Sequence, residues 1–537
     1  MSRLSLIRTD DFTGGLNLRA DPFQLGRTES PDLLNVDIDP RGGLTMRGGI
    51  TKLNTSAIGS IANGSFTPKS LYAWDNTTPR LLLSANSAVY DATTTAFTAI
   101  AGITTTAPFG ASFTSWSASD QSFVYIGTGG ASYKWSGTTA TALTDASTAY
   151  ANNYASPVTG FAPKCRYITS HVDRLWCAHV TEGSTDYPNR VRFSHPINRE
   201  SWAADDYIDI VEGGSGITAI IPFNGNLLVF KKRAVFSILG YSTDTFQVVN
   251  LTNEVGAVNP LSVVTTESAV YFFSWPDGMF KYDGQQFMDL FANIRPLIQL
   301  GRVNNVAQDE IRVSSVNQKI WLSLPLGSDT KATASYVYDP TLKQNGAWTK
   351  YQTSDLKGVG SGCNFVTSTG TTYNLVCHPS NAYVLKVDQL SVYQDDVGSG
   401  PTNFSSYYTT PWQDANNVSN RKMWRRPDFV VKQTSVATNL TLRVYHDWEE
   451  AIIARTYVVS LDASGDSLIW NAPGTEPDGI DGWNEAPWGE SATGSALAVG
   501  KSLGLARSVQ LNIQGEGGKP WGINSITYKY NPRKVRA

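Results

Sequence analysis

Between residues 56 and 395 the chain alternates short apolar runs with clusters of turn-forming residues. Runs such as 80–91 and 225–240 are rich in Val, Ile, Leu and aromatic residues, and many alternate in polarity with a period of two. This alternation is typical of half-buried β-strands. The segment 289–298 has a helical pattern, and Pro296 is expected to limit it. The pattern predicts an all-β fold.

A repeated unit, made of an apolar strand, a turn and a second strand that ends in an aromatic residue, recurs along this region. The intervals between successive units lie between 42 and 54 residues. The units start at Arg80, Ser122, Arg174, Asn226, Ala269, Lys319 and Tyr373. A period of roughly 40 to 55 residues with about four strands is typical of propeller blades. The region 56–395 is therefore predicted to form a β-propeller of about seven blades, with a range of six to eight. A pair of Greek-key sandwiches is the structural alternative.

The first 55 residues contain too few apolar side chains for a core of their own. We therefore expect an extended N-terminal arm or clasp that buries them against a neighbouring subunit or an adaptor protein. The candidate assembly interface consists of Phe12, Leu16, Leu18, Phe23 and Leu25.

Residues 396–537 contain longer alternating strands, which predict a C-terminal antiparallel β-sandwich. Its segment 471–490 is rich in Trp, Pro and Asp. Trp483 and Trp488 in this segment are the candidates for a partner-docking surface.

The composition argues against several classes of protein function. The net charge is −3, and only 17% of residues are charged, where roughly 25% is usual. A sequence-independent binder of nucleic acid would show a marked excess of Lys and Arg. The four cysteines match no zinc-binding spacing and are expected to be small core residues. No secretory signal is recognised, and no apolar stretch reaches the length of a membrane span.

No catalytic motif of the phosphate-binding, dinucleotide-binding, zinc-protease or serine-hydrolase type is present. We therefore predict that the protein is not an enzyme and that it uses no cofactor or metal. The alternation of Asn35, Asp37 and Asp39 is compatible with a cation site, but a turn-forming role is favoured by the Pro and Gly residues that follow.

Several segments are similar, in the same order, to one protein family. The stretch 10–53, DDFTGGLNLRADPFQLGRTESPDLLNVDIDPRGGLTMRGGITKL, resembles the opening of the tail nozzle or hub proteins of short-tailed bacteriophages, also called packaged-DNA stabilisation proteins. The segments that follow are 171–180 (HVDRLWCAHV), 188–202 (PNRVRFSHPINRESW), 216–240 (GITAIIPFNGNLLVFKKRAVFSILG), 256–284 (GAVNPLSVVTTESAVYFFSWPDGMFKYDG) and, more loosely, 501–530 (KSLGLARSVQLNIQGEGGKPWGINSITYKY).

This resemblance implies a structural virion protein of the phage tail, made in the host cytoplasm and assembled as a homohexameric ring. The ring would dock to adaptor proteins and to fibres, spikes or a plug, and double-stranded DNA would pass through it without sequence-specific binding. The alternative is a carbohydrate-binding or glycan-degrading β-propeller, in which Trp483, Trp488 and Trp521 could stack on sugars.

Overall fold

The fold was analysed in a computed structural model that describes residues 4–60, 65–117, 122–143, 164–196, 199–203, 205–343, 346–389, 391–398, 400–432, 434, 436–461, 495–499 and 501–532. Nearly all of its regular elements are strands, so the predicted all-β class is confirmed. The described helices are one α-helical turn, Pro296–Gln299, and the 3₁₀ segments Ile58–Ser60, Pro260–Ser262, Ala292–Ile294 and Asn305–Glu310.

The one region with a helical sequence pattern contains two of these short helices. A 3₁₀ turn, Ala292–Ile294, is followed by the α-helical turn Pro296–Gln299. Pro296 lies in the first turn of that helix, where its missing N–H has no intrahelical partner to lose. No continuous helix spans 289–298, because the helical segment is divided just before Pro296, which begins the second of the two short helices.

The first 55 residues supply short strands to several different sheets. These strands are β1 (Ser5–Thr9), β2 (Gly15–Leu16), β3 (Glu29–Ser30), β4 (Leu33–Leu34), β5 (Val36–Ile38), β6 (Leu44–Met46) and β7 (Gly49–Lys52). Strands β2 and β3 form a parallel pair, and β5 pairs with β6 in an antiparallel hairpin. The other strands pair with elements that lie hundreds of residues later in the chain.

Six four-stranded antiparallel sheets follow. The first is β8 (Pro68–Trp74), β9 (Arg80–Ala85), β10 (Ala88–Asp91) and β11 (Thr98–Thr104). The second is β12 (Ser112–Ser117), β13 (Ser122–Gly127), β14 (Tyr133–Trp135) and β15 (Ala140–Ala142). The third is β16 (Cys165–His171), β17 (Arg174–Glu182), β18 (Thr185–Phe193) and β19 (Tyr207–Asp209).

The fourth sheet is β20 (Ile217–Phe223), β21 (Asn226–Lys231), β22 (Val235–Leu239) and β23 (Gln247–Thr252). The fifth is β24 (Val263–Thr265), β25 (Val270–Ser274), β26 (Gly278–Tyr282) and β27 (Phe287–Asp289). The sixth is β28 (Arg312–Val316), β29 (Lys319–Leu324), β30 (Ala334–Asp339) and β31 (Ala347–Tyr351).

The next sheet is completed by a strand from the N-terminal segment. Its own strands are β32 (Gly362–Val366), β33 (Thr372–Cys377) and β34 (Val384–Gln389), followed by the short strands β35 (Asp395–Asp396) and β36 (Pro401–Thr402). Strand β7 pairs antiparallel with β34, with Lys52 opposite Leu385, and parallel with β35. The early strand therefore occupies the fourth position of this late sheet.

These sheets close into a ring. Their first strands, β8, β12, β16, β20, β24, β28 and β32, contact one another in succession, and β32 contacts β8. Apolar side chains fill the spaces between neighbouring sheets: Trp74 packs near Trp135, and Phe230 lies 5.3 Å from Phe272 between ring centroids. The chain is a β-propeller, because each sheet covers its apolar faces with its neighbours.

The C-terminal region forms two antiparallel sheets that share one core. Its strands are β37 (Tyr407–Thr409), β38 (Lys422–Trp424), β39 (Asp428–Lys432), β40 (Thr438–His446), β41 (Arg455–Leu461), β42 (Ser495–Val499), β43 (Gly504–Ala506), β44 (Val509–Gly515) and β45 (Gly522–Pro532). One sheet has the order β4-β37-β44-β40-β41, and the other has the order β42-β39-β45-β38-β43 with β1 and β6 also on β45. Side chains such as Leu442 and Ile526 from the two sheets meet in a single cluster, which is the arrangement of a sandwich.

The N-terminal segment packs against its own chain. Phe12, Leu16 and Val36 lie in the cluster that also contains Leu442 of the sandwich and Trp348 of β31. Strands β2, β4 and β5 contact β31, the outer strand of the sixth propeller sheet. The apolar residues of this segment are buried against something else, as expected from their number, but that partner is the sandwich and propeller of the same molecule.

One buried arginine joins the three parts of the chain. Arg47 donates from both terminal nitrogens to the carboxylate of Asp395, with N···O distances of 2.7 and 3.0 Å. Its remaining N–H groups donate to the side-chain oxygen of Asn35 and to the carbonyl oxygens of Gly48 and Gln352. All five donors of the guanidinium are therefore satisfied, which is the condition under which a buried charge is tolerated. We call the region around Arg47 and Asp395 the junction.

Candidate functional site

The predicted assembly residues have different positions in the structure. Phe12 and Leu16 are fully buried, and Leu18 is half-buried against the same core. These three side chains are therefore not available to a neighbouring subunit, which corrects the interface predicted from the sequence. Phe23 is 59% exposed, and Leu25 is half-buried at the surface.

Phe23 and Leu25 line the mouth of a pocket between the N-terminal segment and the sandwich. The pocket, of about 470 Å³, is also lined by Arg27, Pro411–Asn416, Val418 and Trp448. The Phe23 ring lies edge to face on Trp448 at 5.7 Å, and Trp412 lies 6.5 Å from Trp448. We call this the rim pocket. Its volume lies within the range of ordinary ligand and side-chain pockets.

Two tight turns shape the rim pocket. Ala415 and Asn416 in one turn, and Asp447 and Trp448 in the other, all have positive φ angles between 52° and 67°. Non-glycine residues adopt this conformation at an energetic cost, and such residues cluster at functional sites. In the second turn, Asp447 caps the backbone by accepting from the N–H of Ser508. This turn holds the Trp448 ring at the edge of the pocket.

Three tryptophans were predicted to contact partners or sugars, and the structure describes one of them. Trp483 and Trp488 lie outside the described residues. Trp521 is buried, and its indole N–H donates to the Ser406 hydroxyl at 2.7 Å. The suggestion that Trp521 could stack on a sugar is therefore wrong. The sequence pattern did not indicate Trp412 or Trp448 as surface-site residues. They lie close to Phe23 only because the N-terminal segment docks on the sandwich.

A second cavity lies on the propeller axis. It has a volume of about 280 Å³ and is lined by residues of the first, second, third and fifth sheets, including Tyr72, Phe113, Tyr167 and Val263. Only a position on the axis can contact residues of all these sheets. The cavity lies at the ends where the first strands of the sheets begin. We call it the axial cavity.

One basic side chain lines the axial cavity, and a second packs beside its wall. Arg166, the second residue of β16, lines it, and Lys69, the second residue of β8, packs beside the lining residue Gly110. Arg312 begins β28, and Lys331 lies in the loop between β29 and β30. The pKa of Lys69 is lowered by burial and by the positive charge of Arg312. Burial also lowers the pKa of Arg312.

Most of these cations have an acidic partner. Arg312 and Lys331 share Glu310, at N···O distances of 3.5 and 3.2 Å. Arg166 lies 3.8 Å from Asp186. Within the described part of the chain, the Lys69 ammonium has no hydrogen bond or ion pair. The nearby negative charges of Glu310 and Asp309 partly offset the charge of this lysine.

The alternating Asn35, Asp37 and Asp39 serve as structural acceptors. Asn35 accepts from Arg47, Asp37 accepts from Lys319 at 2.6 Å, and Asp39 accepts from Arg41. Basic side chains therefore donate to the oxygens of all three residues, which agrees with the structural role favoured from the sequence over a cation site. Among the described residues, no group of three His, Cys, Asp or Glu side chains is arranged to hold a metal ion. Of the described helices, none is long and apolar enough to cross a membrane.

Comparisons with known proteins found distant similarity to solved structures. No family model matches the chain, and no curated protein matches it. Two extracellular domains of putative hybrid two-component systems from B. thetaiotaomicron, BT3049 and BT4673, have 12% and 11% identity and TM-scores of 0.39 and 0.41. They cover 72% and 79% of this chain, which spans only 45% and 60% of theirs. BamB from Moraxella catarrhalis has 9% identity and a TM-score of 0.33, covering 64% of this chain and 97% of its own.

Proposed function

We propose that the chain is a structural subunit of the tail nozzle of a short-tailed phage. In this role it forms a homohexameric ring that retains packaged DNA and passes it at ejection, and that docks to adaptor proteins and to fibres or spikes. The ordered resemblance of 10–53 and the later segments to nozzle proteins supports the family. The low net charge of −3 suits a conduit, because a strongly basic wall would hold the phosphates of passing DNA.

The rim pocket is the structural observation that carries this proposal. It exposes an aromatic side chain, Phe23, beside the ring of Trp448, and these rings belong to the N-terminal segment and the sandwich, which share one apolar core. Aromatic side chains at pockets are the usual anchors of protein interfaces. A closed ring requires two different surfaces on each subunit, one of which can be this pocket.

Electron microscopy of the purified full-length protein tests the proposal. We expect six-fold rings in negative stain for the unaltered protein and a shift to smaller species for Phe23→Ser. Tyr241→Ser, which alters another highly exposed aromatic residue on the propeller, is the matched control and should leave the rings intact. Antibody labelling of intact virions should place the protein at the tail. A protein that is monomeric at all concentrations and absent from virions would contradict the proposal.

The same preparation tests the alternative, a carbohydrate-active propeller. Incubation with bacterial surface polysaccharide, followed by a reducing-sugar assay, should show no release above a heat-treated sample. Reproducible release that depends on protein concentration would support the alternative and would count against a purely structural role.

A further inference from the structure

The sandwich sheet that contains β1, β38, β43 and β45 has two unlike faces. Trp424 of β38 and Tyr528 of β45 are fully buried on the side that meets the other sheet. Because successive side chains of a strand point to opposite faces, their neighbours Met423 and Lys529 lie on the other side. We call that side the outer face.

Apolar side chains form a row across the outer face. Met423 of β38 lies opposite Leu505 of β43, and both are half-buried. On the far side of β45 the row reaches Leu4, which directly precedes β1 and is 49% exposed. Leu6, the next outward side chain of this segment, lies beside Lys529 and is 62% exposed. Neighbouring segments thus bring several exposed apolar groups together, unlike the single exposed residues that are normal on protein surfaces.

Exposed arginines lie on both sides of this apolar row. On one side, the backbone N–H of Arg425 donates to the carbonyl oxygen of Lys529 at 2.7 Å, so these two residues are neighbours. On the other side, Arg421 and Arg507 directly extend the pairing of β38 with β43. Side chains on one face of a strand repeat about every 7 Å, so the two sets of cations lie about 14 Å apart with the apolar row between them.

The outer face carries more positive than negative charge. The acids beside its cations already have partners in the protein: Asp428 pairs with Lys529, Asp10 pairs with Arg8, and Asp447 accepts from the backbone N–H groups of Arg507 and Ser508. The guanidinium groups of Arg421, Arg425 and Arg507 form no ion pair with any residue that the structure describes. All three side chains are exposed, so a partner can reach them.

We propose that the outer face binds an amphipathic helix of another protein, with an apolar stripe bordered on both sides by Asp or Glu. A helix with its side chains is about 10–12 Å wide, so its stripe can lie on the apolar row while its carboxylates reach both sets of cations. Arginine binds carboxylates through paired hydrogen bonds. This contact requires no ring, so it goes beyond the proposed nozzle role.

The mixture of apolar and cationic side chains favours a protein over a nucleic acid as the partner. Arginine and methionine are enriched in protein interfaces, which have an apolar centre and a polar rim. Interfaces with nucleic acids are more polar and more strongly positive throughout. Met423 and Leu505 at the centre of the outer face, with arginines at its borders, match the first pattern.

Fluorescence anisotropy with designed peptides and the full-length protein tests the proposal. The probe is a labelled helical peptide of about 18 residues with Leu at every third or fourth position and Glu elsewhere. Wild type should bind it at low salt. A peptide with Ser in place of Leu, or with Lys in place of Glu, should bind at least tenfold more weakly, because each lacks one half of the recognition.

Variants of the protein test which residues bind the peptide. Leu6→Ser, and the double variant Arg421→Gln with Arg425→Gln, should each weaken binding at least fivefold. Leu300→Ser and Arg302→Gln change an exposed leucine and an exposed arginine on the propeller, and these matched controls should bind like wild type. Thermal unfolding of each variant verifies that it is folded.

Three results would overturn the proposal. The first is no binding of the Leu–Glu peptide by wild type at millimolar concentration. The second is equal binding by wild type and by the variants of the outer face. The third is a 20-base-pair DNA duplex that binds more tightly than the peptide and loses its affinity in the arginine variant, which would assign the outer face to nucleic acid. Ring formation is not measured in these titrations, so their failure leaves the nozzle proposal to its own test.

Discussion

The junction and the axial cavity both bring basic side chains together from distant parts of the chain, but they satisfy them differently. At the junction, Arg47 donates to five acceptor atoms, two of which are the carboxylate oxygens of Asp395. Beside the axial cavity, the Lys69 ammonium has no hydrogen bond or ion pair among the described residues, and the nearby charges of Glu310 and Asp309 only partly offset its own. A fully paired buried charge specifies how parts of the chain dock, whereas a half-buried lysine that is partly offset by nearby acids does not fix such a docking.

The aromatic ring over Arg47 strengthens this contrast. The guanidinium carbon lies 3.8 Å from the centroid of Phe404, at the start of the sandwich region. Asp395 also accepts from the backbone N–H groups of Ile50 and Ser354. The junction is therefore a network in which the charged atoms of Arg47 and Asp395 all have partners within the protein.

Replacement of Arg47 is expected to have the largest effect on stability. Arg47→Met leaves Asp395 buried without its cation, and loss of one partner of a buried pair costs about 3–5 kcal/mol. Urea unfolding followed by tryptophan fluorescence measures the loss. Arg8→Met, at an exposed ion pair with Asp10, is the control and should change the midpoint little.

The double variant Arg47→Met with Asp395→Leu sharpens this test. If the penalty comes from the unpaired carboxylate, removal of that carboxylate should recover part of the lost stability. An Arg47→Met protein as stable as wild type would show that the junction does not join the three parts energetically.

Replacement of Asp37, beside the junction, is expected to have a smaller effect on stability. Burial alone would raise the pKa of this carboxyl, but the charge of Lys319 and hydrogen bonds from Lys319 and Tyr351 outweigh it and lower the pKa. Because the folded pKa lies below the unfolded value of about 3.9, this group stabilises the fold above about pH 4, and that stabilisation is lost as the pH falls through the folded pKa.

Asp37→Asn should therefore lower stability at pH 7, by about 1–3 kcal/mol, and flatten the fall in stability between pH 5 and pH 3. Urea midpoints measured across this pH range give both quantities. Asp244→Asn, in an exposed turn, should retain the wild-type pH profile. An unchanged acid limb in Asp37→Asn would mean that this pair does not contribute to acid unfolding.

Replacement of Lys69 is expected to have the smallest effect on stability, and it should raise stability rather than lower it. Burial lowers the pKa of this lysine, so its charged form disfavours the folded state at neutral pH. Lys69→Met should be as stable as wild type or more stable by up to about 1 kcal/mol. Differential scanning calorimetry checks this. A clear loss of stability would show that Lys69 has a structural role like that of Arg47.

The sequence predicted the propeller region well because strand periodicity is a local signal. All seven repeat starts fall within one residue of the second strand of a sheet: β9, β13, β17, β21, β25, β29 and β33. These second strands are flanked on both sides by other strands and are largely buried. Their apolar runs are therefore stronger than those of the outer strands, which makes them visible in a single sequence.

The location of the N-terminal segment could not be predicted in the same way. The sequence indicated that Phe12 and Leu16 needed a partner, but burial against the same chain or against another one removes the same apolar area from water. The pairing of β1 with β45 and of β7 with β34 depends on contacts across most of the chain length. The rim pocket forms only through this docking, so the sequence could not predict it either.

The pairing of β7 with β34 has a consequence for biosynthesis. During translation, residues 49–52 leave the ribosome long before residues 384–389 exist, so the strand that completes the last sheet has no partner while most of the protein is made. The nascent polypeptide must keep this edge free from wrong pairing until its late partner emerges. The last sheet of the propeller can therefore be completed only after nearly three quarters of the polypeptide has been synthesised.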